Sequence, residues 1–197
     1  REKLLRALAQ GEAGADMVRL IEEERPHLFA ESTVFLGQAS VERMAEVVAA
    51  VERVAALPAW AGRVLAWAPE SARHRCAAAG VFMGYDFHLG EAGPQLIEIN
   101  TNAGGGLLNA ALSQAQVACC EGVTAILPGV HPAATLEQDY VDMFIEEWRA
   151  ERGDARLGRI AIVDEHPPEQ YLYPEFLLFK KLFERHGLAA TICDPAE

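Results

Sequence analysis

The residues best suited to chemistry in this chain are Glu98 and Asn100, near the end of the run Pro94-Gln-Leu-Ile-Glu-Ile-Asn100-Thr101. On an extended strand, side chains alternate with period two. Leu96, Glu98 and Asn100 are therefore expected on one face, with Ile97 and Ile99 on the other. A carboxylate and a carboxamide are hard oxygen donors, which suit Mg²⁺ better than Zn²⁺. Magnesium commonly takes one or two protein groups and leaves its other positions to water and substrate phosphates. The bland alternative is a polar strand end facing solvent. Asp86 lies on the preceding strand. A one-residue slip in pairing decides whether it shares a face with Glu98 or opposes it, and the sequence leaves that open.

The strand opens into Asn102-Ala-Gly-Gly-Gly106 and then into a helical pattern. Glycine amides in such a place can receive an anion or let a backbone approach a ligand. No Lys-Ser or Lys-Thr follows, so this is not a Walker A loop, and it is not GxGxxG. A tight connection that needs small residues explains the glycines equally well. Two further acids, Asp164 and Glu165, fall at the carboxyl end of an expected parallel strand, where open α/β sheets bind ligands. Glu175 falls in the first turn of the next helix, where a carboxylate can simply favour the helix dipole. The six histidines form no HExxH, there is no Gly-x-Ser-x-Gly elbow, and no cysteine pair has metal spacing.

These residues need elements to hold them. Met17, Leu20 and Ile21 mark a helix over Asp16–Glu24, which Pro26 ends. Ser40 is placed to cap a second helix, with Met44, Val47, Val48, Val51 and Val54 at helical spacing. Val81–Leu89, the turn Gly90–Gly93 and Pro94–Asn100 read as a β-hairpin. A small-residue helix follows over Leu107–Ala118, then a loop over Gly122–Pro132. Thr135 and Gln138 fit a capping box, opening a helix to about Arg152. Arg159–Asp164 reads as a buried strand and Pro174–His186 as a helix stopped by Gly187. Leu188–Cys193 reads as a second strand. Strand, helix and strand in about 35 residues make a βαβ unit with a parallel sheet. The fold class is α/β.

The chain has 197 residues, half of them apolar, and a formal net charge of −12. That is enough to bury a core. The charge argues against a nucleic-acid partner, which calls for a basic stripe. A polyanionic ligand would need metal ions or clustered basic residues to offset it. No run of about 18 apolar residues occurs, so no membrane partner is expected. Cys76, Cys119, Cys120 and Cys193 read as reduced thiols of a cytoplasmic protein. The chain begins at Arg1 and ends just after an expected strand, which reads as a piece of a longer protein.

The segment Gly84-Tyr-Asp-Phe-His-Leu-Gly-Glu-Ala-Gly-Pro-Gln-Leu-Ile-Glu-Ile-Asn-Thr-Asn-Ala-Gly-Gly-Gly106 resembles the nucleotide–metal segment of eukaryotic-type glutathione synthetases. It is also similar to related circularly permuted ATP-grasp proteins of the glutathionylspermidine-synthase-like kind. Tyr85-Asp86 and Ile97-Glu98-Ile99-Asn100-Thr101 carry the match, and the order of hairpin then βαβ unit continues it to the C-terminus. The resemblance implies an ATP-dependent ligase that joins a small-molecule carboxylate to an amine. ATP phosphorylates the carboxylate, and the amine displaces phosphate from the acyl phosphate. Glu98 and Asn100 match the family's Mg²⁺ ligands. Asp86, Thr101, Asn102, Gly104, Gly105, Glu165 and Glu175 fall at or near substrate-contacting positions. Glu165 and Glu175 would hold a cationic amine.

Residues 1–132 would then be a helical region with the metal-site hairpin and glycine loop. Residues 133–197 would be a βαβ pre-ATP-grasp substrate domain, incomplete at its C-terminus. Family members are often dimers, and the oligomeric state stays open. The family's substrate-binding Arg falls at Gly84, and its loop serines become Asn102, Ala103 and Gly104. Loss of a bidentate carboxylate grip points away from a glutathione synthetase and toward a ligase of other specificity. The ATP-binding lysines of the family lie beyond Cys193, so this stretch alone is not expected to turn over ATP. The competing expectation is a non-catalytic small-molecule- or protein-binding module of the same fold.

Overall fold

The computed structural model describes residues 1–9, 14–30, 32, 34–117 and 133–196. In chain order they form α1 (Glu2–Leu8), α2 (Gly14–Arg19) continuing into a π turn (Leu20–Glu24), α3 (Gln38–Ala55) and α4 (Pro58–Leu65). Then come β1 (Met83–Gly90), β2 (Gly93–Thr101), α5 (Gly106–Val117), α6 (Ala133–Arg152), β3 (Arg159–Val163), α7 (Tyr173–Arg185) and β4 (Ala189–Cys193). The protein is mixed α/β. Among the described residues one strand pair is antiparallel and the other parallel.

Contacts divide the chain into two units, at points other than residue 132. One unit joins Arg1–Ser32 to Gly104–Glu197, and the other is Thr33–Ala103. The first is discontinuous because α1 packs on α5, and α5 packs on α6 and α7. Helix α7 is its centre. On one side Leu182 and Phe183 join Leu107, Val141, Leu188 and Ala190. On the other, Leu177 and Leu178 pack against Leu4, Leu8, Met17 and Ile21 from α1, α2 and the π turn. Phe144 meets Phe183 edge-on at 5.2 Å between ring centroids, a favoured aromatic geometry.

Strands β3 and β4 pair in parallel from Arg159↔Ala189 to Val163↔Cys193. Ile160 and Ile162 turn toward the core beneath α6 and α7, while Val163 is 54% exposed. The apolar run over Arg159–Asp164 therefore does not make a fully buried strand. Two strands with one covered face leave alternate side chains in solvent.

In the second unit α3 packs on β2 and α4. No described residue between 34 and 103 is fully buried. Its cohesion comes from the hairpin ladder and the helix–strand contact.

Two caps differ from the sequence expectation. Helix α3 starts at Gln38 behind an extended Gly37, whose carbonyl accepts from Ser40 N at 2.9 Å. Ser40 is thus inside the helix, not at its cap. Thr135 likewise lies within α6, which is already helical from Ala133, and the Gln138 side chain bonds Asp142 and His186 instead of reaching back. The glycine stop at Gly187 holds: it sits at φ +75, a conformation open to a residue without Cβ. Cys119, Cys120 and the loop expected over Gly122–Pro132 lie outside the described residues.

Candidate functional site

The hairpin register resolves the position of Asp86. Asp86 pairs directly with Glu98, and Gly84 with Asn100. Directly opposed residues of an antiparallel pair point to the same face. Asp86, Glu98 and Asn100 therefore share one face. The Asn100 amide nitrogen lies 3.4 Å from Asp86 Oδ2, a long contact that turns the carboxamide toward the acid. Asp86 and Glu98 are exposed and Asn100 half-buried, so the trio is open to a ligand.

A β-bulge interrupts the ladder just beyond. Phe87 pairs with Leu96, so Ile97 is an extra residue on β2. Following the alternation of β1, Leu96 falls on the face of Tyr85 and Phe87, not with Glu98 and Asn100 as simple period-two counting places it. Thr101 pairs with Met83 and also lies on that opposite face. That face looks to α3, where Glu52 accepts a short hydrogen bond from the Tyr85 hydroxyl. This bond, with burial and the Glu52 charge behind it, raises the Tyr85 phenol above its ordinary range.

Gly84 and Asn102 flank the trio. A Cβ at Gly84 would lie 3.0 Å from Ala103 Cβ and 3.6 Å from Asn100 Cβ. The chain is thus packed against the site of any side chain there. Asn102 adopts φ +55, a left-handed conformation that asparagine tolerates better than most residues. The Ala103 N–H donates to Phe82 O at 2.8 Å and extends the ladder by one bond.

The glycine run has a different partner. The Gly105 N–H donates to Glu175 Oε2, and the Leu107 N–H donates to Oε1 at 2.9 Å. Glu175 is only 3% exposed. Burial raises its carboxyl above the ordinary glutamate range, against the pull of the Gly105, Leu107 and Leu108 amides. A Cβ at Gly104 would collide with Leu172 Cδ1 and stand 3.2 Å from Glu175 Oε2, and Gly105 sits at φ +99. Gly105 is thus favoured by its backbone conformation, while a side chain at Gly104 would have to displace Leu172.

At the carboxyl ends of β3 and β4, Glu165 is exposed and its carbonyl accepts from Gln170 Nε2 at 2.6 Å. His166, at φ +43, donates its N–H to Asp194 Oδ2 at 2.7 Å, with its ring Nδ1 3.6 Å from the same oxygen. Asp194 is held below the ordinary aspartate range by the Ala196 and His166 amides and by the His166 charge. The loop behind is fastened by Arg25, 6% exposed, which donates to the carbonyls of Pro168, Gln170 and Tyr171. Sequence reading missed Arg25, Glu52, His166 and Asp194. The rule that flagged Asp164 also fits Asp194, an acid just past a parallel strand. Nothing local marks Arg25, whose partners are 143 to 146 residues away.

Among the described residues no three His, Cys, Asp or Glu side chains converge as a metal cluster. The hairpin trio of two carboxylates and one carboxamide is an all-oxygen set of the kind Mg²⁺ accepts with water and phosphate completing its shell. An open groove lined by Phe144, Trp148, Leu157 and Ile160 lies in the other unit. Its Trp148 is already engaged, donating to Ala155 O and carrying the Arg152 guanidinium over its ring. No protein-family model, curated protein or solved structure matches the chain.

Proposed function

We propose that this chain supplies the metal-binding hairpin of an ATP-dependent carboxylate–amine ligase. The observation that carries the reading is the register that sets Asp86, Glu98 and Asn100 on one open face. Glu98 and Asn100 would hold Mg²⁺, with Asp86 beside them. Bound there, the ion offsets the charge of nucleotide phosphates, which a chain of net charge −12 would otherwise repel. The residues of the chain do the placing. Asp86 accepts from the Asn100 amide nitrogen, which leaves the Asn100 carbonyl oxygen for a cation. The Ala103–Phe82 bond steadies the strand end that carries it. The small, packed position at Gly84 supports a substrate other than that of a glutathione synthetase, since no side chain there grips a carboxylate.

The test is divalent-ion binding followed by turnover. Mn²⁺, as a paramagnetic stand-in for Mg²⁺, is expected to broaden the resonances of Asp86, Glu98 and Asn100 and to be competed by Mg²⁺. Glu98→Gln is expected to weaken binding about tenfold or more, on the scale of losing one charged ligand. The natural full-length protein is expected to release phosphate from Mg²⁺-ATP only with both a carboxylate and an amine present, and Glu98→Gln to abolish this. Unchanged ion binding in Glu98→Gln would remove the metal assignment. A second reading, a non-catalytic binding module, is favoured by one observation: the Gly105 and Leu107 amides already serve Glu175. Ion binding without turnover by the natural full-length protein would select it.

A further inference from the structure

We propose that Glu175 is a positioning residue, the resident anion of the glycine run, which fixes the start of α5 and closes the Gly105 and Leu107 amides to any ligand anion. The family resemblance gives this carboxylate to a substrate amine. The geometry points inward instead. Both carboxylate oxygens are spent on main-chain donors, Oε2 on Gly105 and Oε1 on Leu107. The first N–H groups of a helix have no partner within it, and its dipole favours negative charge there. Glu175 supplies both at the start of α5, from the first turn of α7.

The run is shaped to admit the carboxylate. Gly104 is bare where a Cβ would crowd Oε2, and Gly105 takes a φ of +99 that aims its N–H. Glu175 is itself anchored, since its own N–H donates to Leu172 O at 2.8 Å and Pro174 before it is buried. The titratable group facing it from α6 is Tyr140, whose phenol is raised by burial and then by the Glu175 charge. Gly105 and the first residues of α5, 106–108, carry no titratable side chain. A phosphate or carboxylate ligand could reach Gly105 and Leu107 only by expelling a 3%-exposed side chain. The nucleotide phosphates of the ligase reading must therefore be met elsewhere. The inference rests on that reading only for this consequence, and the two fail separately, because turnover tests one and amide resonances the other.

The experiment follows the Gly105 and Leu107 backbone amides by NMR in the ¹⁵N-labelled chain. In the unmodified protein both are expected to shift with pH along one curve shared with the Glu175 carboxyl, and to ignore added inorganic phosphate. In Glu175→Gln both are expected to stop following pH over that range. In Glu175→Ala both amide protons are expected to move upfield and to return toward their original positions on adding sodium formate. Phosphate that moves either amide in the unmodified protein overturns the proposal. So does an amide pair that does not follow the Glu175 titration, or a folded Glu175→Ala protein indifferent to formate. The unmodified protein decides the question even if neither variant folds.

Discussion

Arg25 gives the most exacting prediction. Its guanidinium is nearly sealed from solvent and donates three hydrogen bonds to carbonyls of the β3–α7 loop, at 3.1 Å to Tyr171 and 3.0 Å to Pro168 and Gln170. Hydrogen bonds from a charged donor contribute about 1.5–3 kcal/mol each. Simple addition overshoots, because Pro168 and Tyr171 are exposed residues whose carbonyls water can reach once the side chain is gone. The ion pair to Glu24 adds little, since Glu24 is 63% exposed. Arg25→Ala is therefore expected to destabilise the loop and its unit by about 3 kcal/mol, a more than hundredfold rise in opening. Arg25→Lys keeps the charge but cannot span three carbonyls with one ammonium, and is expected to lose about half as much. Because the chain has two units, a single unfolding curve is a poor measure. Hydrogen exchange read by mass spectrometry over peptides covering 1–30 and 160–196 isolates the relevant one. Exchange in Arg25→Ala within about threefold of the unmodified protein, less than about 1 kcal/mol, would refute the clamp.

Other predictions test the remaining geometry. Gly105→Ala forces a Cβ onto a backbone at φ +99 and to 3.3 Å from Asn109 Nδ2, and it disturbs the donor to Glu175. It is expected to cost about 2 kcal/mol or more by exchange protection of α5, against about 1 kcal/mol for Gly187→Ala, which meets nothing within 4 Å. Equal losses would mean that backbone strain alone is at work. The Asp194 carboxyl is lowered in the folded protein, so its contribution is present above the unfolded aspartate pKa and is lost as pH falls through the folded one. The His166 amide resonance is expected to move on acidification with a midpoint below the ordinary aspartate range, and Asp194→Asn to abolish that movement.

Much of this architecture is legible in the chain itself. Gly93, at φ +96, closes the hairpin turn, and Pro174 and Gly187 bracket α7, because each residue has a backbone conformation that few others accept. The oxygen donors on β2 stand out because polar groups interrupt an apolar strand. What escaped notice has non-local causes. The bulge leaves no trace, since Leu96, Ile97 and Ile99 are all apolar and any of them reads as a core residue. Helix α1 buries only Leu4 and Leu8, too brief a pattern to separate from its charged surroundings. The role of Glu175 was legible only as a helix-dipole acid, because Gly105 lies 70 residues away. The unit boundaries depend on α1 meeting α5 across a hundred residues.

The extra residue in β2 also bears on how this hairpin can vary in length. Ile97 is 67% exposed and lies between two intact pairs, Asp86–Glu98 and Phe87–Leu96. Its removal would let those pairs stack without a gap. Each residue of the oxygen trio would keep its neighbour, and Leu96 would keep Phe87. A deletion elsewhere in the strand would instead carry every later side chain to the opposite face. The bulge is thus a slot where a lineage can gain or lose a residue while the polar face stays in phase.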